Sequence, residues 1–487
     1  MVSDGRFQFL GELGAVRNSR DWNQAGKSKL WLYNLHYLDD LNAAGADERY
    51  DQLQSLIYQW NRENPPIAGN GWEPYPLSLR TVNLVKWYGR QIDPCDHALT
   101  NLRRQVKALE AQLEWHILAN HLFANAKALI FAGTFYSDSL GDKWLNLGVR
   151  ILDKELCKQF FRDGGHFELS PMYHSILLWD LCDLVNLADR TGVPELLQRA
   201  PEWRKTIERG LRWLRAMSHP DGEIAFFNDS AFGIAPKPCE IEDYAAMLGV
   251  NVPSRSSSDE FVWWHLKDSG YIAIEQPKAK LILDVGEVGP TYQPGHAHAD
   301  TLSFELSLFG VRVFVNSGIS TYDIGTDRNY QRGTAAHNTL EINGENSSQV
   351  WAGFRVARRA SPFGLFAGEK NGTFHARCSH NGYRWLPKAP NHKRSWQLSS
   401  NRLEVVDTVN GAFETAIAYF HLHPDIDIDS QNRLWLATGQ VVNWHVQGGV
   451  ARVVDSSWSP RFGSKVDSRC IEVHLEESEI KTSFWWH

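Results

Sequence analysis

Apolar residues recur three and four residues apart through the first half of the chain, the pattern of helices with one buried face. Loops rich in proline, glycine and aspartate separate these stretches. About ten helices in antiparallel pairs would form an α/α bundle or toroid. The predicted helices cover residues 30–38, 50–60, 78–88, 101–115, 117–135, 142–161, 171–189, 200–217 and 241–248.

The period changes to two after a polar run at Val252–Asp259, which we interpret as a linker. Asn343–Gly344 is a hairpin turn signal within this second half. A chain of 487 residues is too long for one ordinary core. We therefore predict an α+β protein with an incomplete α/α toroid at residues 1–253 and an antiparallel β-sandwich at residues 260–487. The predicted strands cover residues 281–285, 302–308, 311–315, 339–342, 403–406 and 450–454.

Two histidines and an acid precede one of these strands. Polar and apolar residues alternate from Thr301 to Leu308, as in a half-buried strand. If that register extends back to residue 294, His296, His298 and Asp300 project toward the core. Buried imidazoles need partners, so the cluster indicates a catalytic or metal site.

The helical half contains a second polar group, within an apolar stretch. Residues 114–131 are apolar nearly all round, which predicts an inner helix, yet the stretch contains Asn120, His121 and Asn125. His121 and Asn125 share a face, being four residues apart. Either these side chains form an internal hydrogen-bond network, or an amide and an imidazole bind an anionic group in a cleft.

A tyrosine lies in the first turn of a predicted helix. Ser170 followed by Pro171 is a strong helix-start signal, which places Tyr173 near the positive end of the helix dipole. That field would lower a phenol pKa that starts near ~10 and suit a proton shuttle. The alternative is a packed tyrosine that donates to a carbonyl.

An aromatic loop at residues 70–77 precedes Arg80 and Asn83. Arg80 would bind a carboxylate or sulfate through both guanidinium nitrogens, or it would form a structural salt bridge.

The composition limits the classes of molecule that the protein is expected to bind. A net charge of −7 argues against nucleic acid and anionic membranes as the main target, but not against an acidic polysaccharide in a local basic cleft. The 20 tryptophans suit either sugar stacking or core filling. Arg355, Arg358 and Arg359 form the densest basic patch, a pattern more typical of a solvated face.

The chain shows no disulfide framework and no targeting segment. The six scattered cysteines indicate ordinary buried thiols, and no apolar stretch reaches transmembrane length. The first five residues lack signal-peptide features. We expect a cytoplasmic protein or, if a leader was removed, a periplasmic or secreted one.

Four motifs together resemble the heparinase II/III-like polysaccharide lyases, which are similar to glycosaminoglycan and alginate lyases. The resemblance extends from about residue 31 to about residue 359 and implies an α/α toroid followed by an antiparallel β domain. It also implies β-elimination at a uronic acid, with an acidic polysaccharide as partner. The motifs are Asn120-His121, Ser170-Pro-Met-Tyr-His174, Gly295-His-Ala-His-Ala-Asp-Thr-Leu-Ser-Phe304 and Gln331-Arg-Gly-Thr-Ala-Ala-His-Asn-Thr339.

The resemblance implies a role for each candidate side chain. Asn120 and His121 would neutralise the uronate carboxylate. Tyr173 and His296 would share the proton transfers as base and acid. The residues expected at substrate subsites are Trp72, Arg80, Asn83, His174, Tyr330 and Arg332.

The resemblance also implies a metal in the β domain, Zn-like or Mn-like, which braces His296 instead of doing chemistry. The matching positions are His298, Asn316 and His337. Asn316 departs from the family pattern, because an amide oxygen binds divalent ions more weakly than a carboxylate does, and Asp300 would compensate.

Glycosaminoglycans (heparan sulfate, chondroitin sulfate or hyaluronan) are the favoured substrates, with alginate or a bacterial capsular polysaccharide as alternatives. A toroid-type glycoside hydrolase would need two flanking carboxylates. The candidates for that role, Glu73, Glu168, Asp180 and Asp229, form no obvious pair. A non-catalytic glycan-binding protein would keep a tryptophan-lined cleft without needing Asn120, Tyr173 and His296 together.

Overall fold

A computed structural model describes residues 1, 5–91, 95–253, 261–292 and 294–487. The described residues form two compact units that alternate along the chain. The helical unit comprises Met1–Gln159 and Asp180–Trp203, and the sheet unit comprises Phe160–Trp179 and Arg204–His487. Most of the predicted linker, residues 254–259, lies outside the described residues, so the domain boundaries at 253 and 260 stay predictions.

The predicted helices are present. In the helical unit, α5 packs against α3 and α6 and is buried almost all round, which confirms the inner helix. A short hairpin of β1 (Arg6–Phe9) and β2 (Glu12–Ala15) precedes the helices. The helices are α1 (Lys29–Tyr37), α2 (Tyr50–Glu63), α3 (Pro74–Tyr88), α4 (Asp96–Ala111), α5 (Ala119–Phe135), α6 (Ser139–Gln159), α7 (Pro171–Thr191), α8 (Pro194–Leu197), α9 (Ala200–Ala216) and α10 (Pro238–Met247).

Helix α5 begins later than its apolar pattern predicted. Leu118 and Ala119 both adopt positive φ angles, 64° and 53°, which interrupt a right-handed helix. Glu114 therefore lies in the preceding turn, and Asn120 and His121 lie in the first turn of α5.

The sheet unit contains three main antiparallel sheets. Strands β3–β7 form a five-stranded meander, and β19-β20-β15-β8 form a four-stranded sheet. The order β11-β12-β13-β14-β21-β18-β17-β16 makes an eight-stranded sheet, and β9 and β10 pair as a separate hairpin. Side chains from all three main sheets meet in one apolar core. This arrangement confirms the predicted antiparallel domain.

The strand bounds are β3 (Val262–Leu266), β4 (Tyr271–Gln276), β5 (Ala279–Asp284), β6 (Phe304–Leu308), β7 (Val311–Phe314), β8 (Leu340–Ile342), β9 (Val350–Trp351), β10 (Arg355–Val356), β11 (Pro362–Lys370), β12 (Thr373–His380), β13 (Asn391–Ser399), β14 (Arg402–Asn410), β15 (Ala416–His421), β16 (Asp427–Ile428), β17 (Arg433–Trp435), β18 (Val441–Gln447), β19 (Gly449–Trp458), β20 (Val466–Leu475) and β21 (Glu479–Trp486). A short helix, α11 (Thr326–Arg332), lies between β7 and β8.

Two details of the strand prediction were wrong. Strand β6 is buried on both faces, because its polar residues Glu305 and Ser307 both hydrogen-bond to the buried His219. Its register also does not extend back to residue 294. Leu302 has a φ of 63°, so residues 294–303 form a loop that precedes the strand.

Most tryptophans fill the core. Nine of the 20 are among the largest fully buried side chains, whereas Trp115, Trp351, Trp385 and Trp435 are exposed. All six cysteines are free, but only three are buried, which corrects the expectation of buried thiols. Among the described residues, no helix combines the length and apolar composition needed to cross a membrane.

Candidate active site

Tyr173 lies at the start of α7, where the local sequence predicted it. The Ser170 hydroxyl accepts a hydrogen bond from the Tyr173 backbone N–H at 3.2 Å, which confirms the N-cap. The same hydroxyl donates to the backbone oxygen of Asp229 at 2.6 Å. The first turn of α7 is thereby tied to the loop that contains Asp229.

The Tyr173 and His296 side chains are neighbours. Their ring centroids lie 4.0 Å apart, and the Tyr173 hydroxyl lies 2.9 Å from that of Tyr322. Phe354 packs edge-on against the His296 ring at 5.8 Å. The structure thus brings together the two residues expected to move protons and adds Tyr322, which the sequence analysis did not identify.

Asp229 organises this site. Its buried carboxylate accepts from His296 Nδ1 and His298 Nε2, both at 2.8 Å, and from two nitrogens of Arg328. A carboxylate can only accept, so the neutral form of His296 carries its proton on Nδ1 and its lone pair on Nε2. That lone pair can receive a proton from a substrate.

The electrostatics keep Asp229 ionised. Burial alone would raise the pKa of its carboxyl, but the Arg328 charge and the two imidazole donors hold that pKa well below its usual range. Sequence reasoning had considered Asp229 only as a hydrolase carboxylate. The local sequence Asn228-Asp229-Ser230 does not indicate this role, because the partners of Asp229 lie 67 to 99 residues away.

His298, Asp300 and His337 form a second group of buried side chains, whose possible ligand atoms lie within 4.8 Å of one another. His298 Nε2 donates to Asp229, and His337 Nδ1 donates to the Gly333 oxygen at 2.7 Å. Burial lowers the pKa of His298 to about 4, so its ring is neutral near pH 7.

Neutral rings leave the lone pairs of His298 Nδ1 and His337 Nε2 facing each other across 3.1 Å. Two facing lone pairs beside a carboxylate are a donor set that fits a divalent metal. The residues present therefore fit the metal that the family resemblance implies.

Asn316 does not belong to this donor set. Its amide Nδ2 donates to the Phe226 oxygen at 2.9 Å, and its Oδ1 accepts from the Asn338 backbone N–H at 3.0 Å. Both ends of the amide bind backbone groups, so the predicted ligand role of Asn316 is wrong. Asp300, the carboxylate beside the two imidazoles, is the candidate for the third ligand position.

In the helical unit, Glu114 orients the polar group of α5. Its carboxylate accepts from His121 Nδ1 at 2.8 Å and from Asn125 Nδ2 at 3.0 Å. The Tyr75 ring packs on His121 with centroids 4.5 Å apart. Asn125 is fully buried in this network, whereas His121 keeps Nε2 available and is partly exposed. The internal hydrogen-bond network is present at Asn125, and the binding of an anionic group by Asn120 and His121 stays a prediction.

The residues predicted upstream for substrate binding have internal roles. Arg80 is fully buried and donates to Gln105 Oε1 and to the His36 and Gly71 oxygens at 2.7–2.8 Å. Trp72 is buried and donates to the Asn64 oxygen, and Asn83 donates to Asp39 Oδ1 at 2.7 Å. The contacts of Arg80 and Trp72 contradict direct substrate binding, because these side chains are inaccessible.

Two downstream predictions need the same correction. His174 is fully buried, with Nε2 donating to the Gly210 oxygen and Nδ1 accepting from the His166 N–H. Arg332 is also buried, and its guanidinium donates to backbone oxygens, including that of Ala297 at 3.0 Å. Tyr330 is partly exposed and stays a candidate subsite residue.

Comparison with known proteins gives consistent matches. The profile "Heparinase II/III N-terminus" matches residues 42–246, and "Heparinase II/III-like, C-terminal" matches residues 262–487. A heparin-sulfate lyase of Bacteroides stercoris is 27% identical over 253 residues, 47% of this chain and 36% of that protein. A heparin-sulfate lyase of Pedobacter heparinus is 23% identical over 336 residues, 62% of this chain and 50% of that protein.

The fold is shared with a crystal structure of heparinase III, with a TM-score of 0.74 and 17% identity over 96% of this chain and 78% of that chain. The chain spans about half or less of the length of the curated relatives it matches. The two profiles together cover most of the sequence. The chain therefore belongs to the heparinase II/III-like family.

Proposed function

We propose that this protein is a polysaccharide lyase that cleaves a uronate-containing glycosaminoglycan by β-elimination. The observation that carries the proposal is the pairing of the Tyr173 phenol with a His296 imidazole whose tautomer Asp229 fixes. The names of the relatives, heparin-sulfate lyases, favour heparan sulfate as the first substrate to test. Alginate and capsular polysaccharides are the alternatives.

In the proposed reaction, a base removes the proton at C5 of the uronate, the C4–O4 bond breaks and a C4–C5 double bond forms. The departing O4 takes a proton from an acid. His296 Nε2 and the Tyr173 hydroxyl supply these two groups, and the uronate epimer decides which acts as base. Asn120 and His121 are proposed to neutralise the carboxylate, which makes the C5 proton more acidic.

A divalent metal, if bound, would be held by His298, Asp300 and His337 and would supply a fixed positive charge there. Its proposed effect is to lock the orientation of His298, and through the shared Asp229 that of His296. No proton transfer is assigned to it.

A glycoside hydrolase is less consistent with the carboxylates. Asp229 is buried and bound by Arg328, and Asp180 binds Lys127 at 2.5 Å. Glu73 lies beside Lys29 at 2.8 Å, and Glu168 is buried. Three of the four bind cations within the protein, whereas hydrolysis needs an acid and a carboxylate that both face the scissile bond.

The test is the ultraviolet absorbance of the unsaturated uronate during incubation with heparan sulfate, chondroitin sulfate, hyaluronan and alginate, with and without chelator. We expect absorbance to rise with one glycosaminoglycan and Tyr173→Phe to reduce the rate by at least about 10³-fold. Tyr419→Phe is the matched control, because that hydroxyl contacts Glu341 at 3.3 Å and has no proposed role. Cleavage detected at reducing ends without absorbance would overturn the lyase in favour of a hydrolase.

A further inference from the structure

Three exposed aromatic rings of the sheet unit each lie beside an arginine. Arg358 lies 4.1 Å from the centroid of the Trp385 ring. The equivalent distances are 5.9 Å for Arg384 and Phe363 and 5.5 Å for Arg377 and Phe366. The three rings are 40–52% exposed. We call these six side chains the arginine–aromatic strip.

The members of the strip are linked by strand pairing and by closeness in the sequence. Phe366 and Arg377 are cross-strand partners in the β11–β12 pair. Phe363 lies three residues before Phe366 on β11, and its arginine precedes Trp385 directly. The remaining member, Arg358, follows the β9–β10 hairpin.

That hairpin connects the strip to the candidate catalytic ring. Phe354, between β9 and β10, packs against His296. Arg328 donates to the Gly353 oxygen, and Arg332 donates to the Arg355 oxygen, so the backbone of the hairpin is held from inside. Trp351 and Phe354 are left exposed beside the strip.

The arginines of the strip have no carboxylate partner. Within the described part of the chain, no Asp or Glu oxygen lies within 4 Å of Arg358, Arg377 or Arg384. The protein has more acidic than basic residues, 57 Asp and Glu against 50 Lys and Arg. A shortage of carboxylates therefore does not explain why these arginines lack one. Neighbouring unpaired guanidiniums repel one another, which an anionic ligand would relieve.

Another exposed arginine–aromatic pair of the sheet unit does have a carboxylate partner. Trp435 is also 40% exposed with Arg433 at 5.2 Å, but Asp429 binds both side chains, at 2.7 and 3.0 Å. That arginine is neutralised within the protein. The arginines of the strip lack such a carboxylate.

We propose that the arginine–aromatic strip binds an acidic polysaccharide chain outside the reacting site. Guanidinium groups pair with sulfate or carboxylate groups, and the indole and phenyl rings stack on sugar faces. That the bound chain continues into the site at His296 rests on the proposed function. Binding of the polysaccharide by the strip itself does not depend on the proposed function.

The experiment measures affinity for immobilised heparan sulfate in a Tyr173→Phe background, where turnover cannot interfere. We expect Arg358→Gln with Trp385→Ala to weaken binding by about tenfold or more and to flatten the dependence of log Kd on log salt. The matched control, Arg433→Gln with Trp435→Ala, should leave both quantities unchanged. Arg377→Gln with Arg384→Gln, two changes at exposed positions, repeats the test if the first variant folds poorly.

Equal losses in the strip and control variants, or no loss in either, would overturn the proposal. So would wild-type binding to phosphatidylserine vesicles with none to heparan sulfate, since the strip would then recognise a lipid surface. Absence of elimination on any polymer would refute the lyase and leave this binding result intact, so the two failures are distinguishable.

Discussion

Two buried aspartates of the sheet unit have nearly the same partners and different surroundings. Asp229 accepts from His296, His298 and Arg328, and Asp407 accepts from His392 and Arg394. Both carboxylates are fully buried and ion-paired. An Asp–His–Arg cluster is therefore not by itself a sign of catalysis.

The difference lies at the far nitrogen of each histidine. His392 Nδ1 accepts from His380 Nε2 at 3.1 Å, and His380 Nδ1 in turn accepts from the Gly382 N–H at 3.1 Å. This series of hydrogen bonds therefore ends at a backbone N–H group. The His296 ring is 12% exposed, and its Nε2 lies 3.9 Å from the nearest carboxylate oxygen, beyond hydrogen-bond distance. The first cluster can exchange a proton with a ligand, and the second only holds strands together.

The largest expected effect comes from removing the charge of Asp229. Asp229→Asn would let the amide donate to His296, which displaces the proton of the neutral ring to Nε2 and removes the negative charge that supports His296 in its proton transfer, so kcat should fall by about 10³-fold or more. The measurement is the elimination rate by absorbance under saturating substrate.

The matching change, Asp407→Asn, separates catalysis from stability. Leaving Arg394 unpaired in the core should lower the free energy of unfolding by about 3–5 kcal/mol, while kcat of the folded fraction stays within about threefold. Denaturant titration alongside kinetics checks both. A loss of kcat as large as that of Asp229→Asn would show that the two clusters do not differ in function.

Glu114→Gln tests the intermediate case in the helical unit, where a buried carboxylate orients a partly exposed histidine. We expect kcat to fall by about 10–100-fold, because the amide no longer fixes the tautomer of His121. Glu110→Gln is the control, since that carboxylate binds Trp144 and Lys143 and has no proposed role in the site. An unchanged kcat would remove His121 from the proposed site.

The smallest effect is a pH dependence of stability at the His380–His392 pair. Burial lowers the pKa of both imidazoles, so the folded state keeps them neutral while the unfolded chain takes up protons near pH 6.5. Protons then favour unfolding, and stability falls as pH falls below about 6.5. Replacing His380 by Gln should reduce this slope by about 1.4 kcal/mol per pH unit between pH 6 and 5, measured by urea unfolding. A slope equal to that of the wild-type protein would contradict this prediction.

Prediction from sequence succeeded where the cause is local. The apolar period identified every long helix, and Ser170 caps α7 as its sequence indicates. Prediction failed where a single residue changes the backbone direction. Leu302 and Leu118 are ordinary apolar residues whose positive φ angles end the strand register and delay α5.

Side-chain roles were harder to predict than elements. Arg80, His174 and Arg332 carry groups suited to anionic substrates, yet each donates hydrogen bonds to oxygens inside the protein. Polar residue type indicates that a partner is needed but does not identify it. Conversely, the basic patch that contains Arg358 was interpreted as a solvated face, and its pairing with Trp385 gave no signal because the two residues lie far apart in the sequence.

The sequence by itself determined a helical half, an antiparallel half and the motifs that contain Tyr173, His296 and His337, because each depends on spacing within a few residues. Only the tertiary structure decided which of these side chains act together. Asp229 joins His296, His298 and Arg328 across 67 to 99 residues. Asp300 lies with His298 and His337 in the candidate metal site, whereas both ends of the Asn316 amide bind backbone groups. The hydrogen-bond partners of a buried group come from segments that are distant in the sequence and meet only when the chain packs. Local sequence patterns therefore do not predict them.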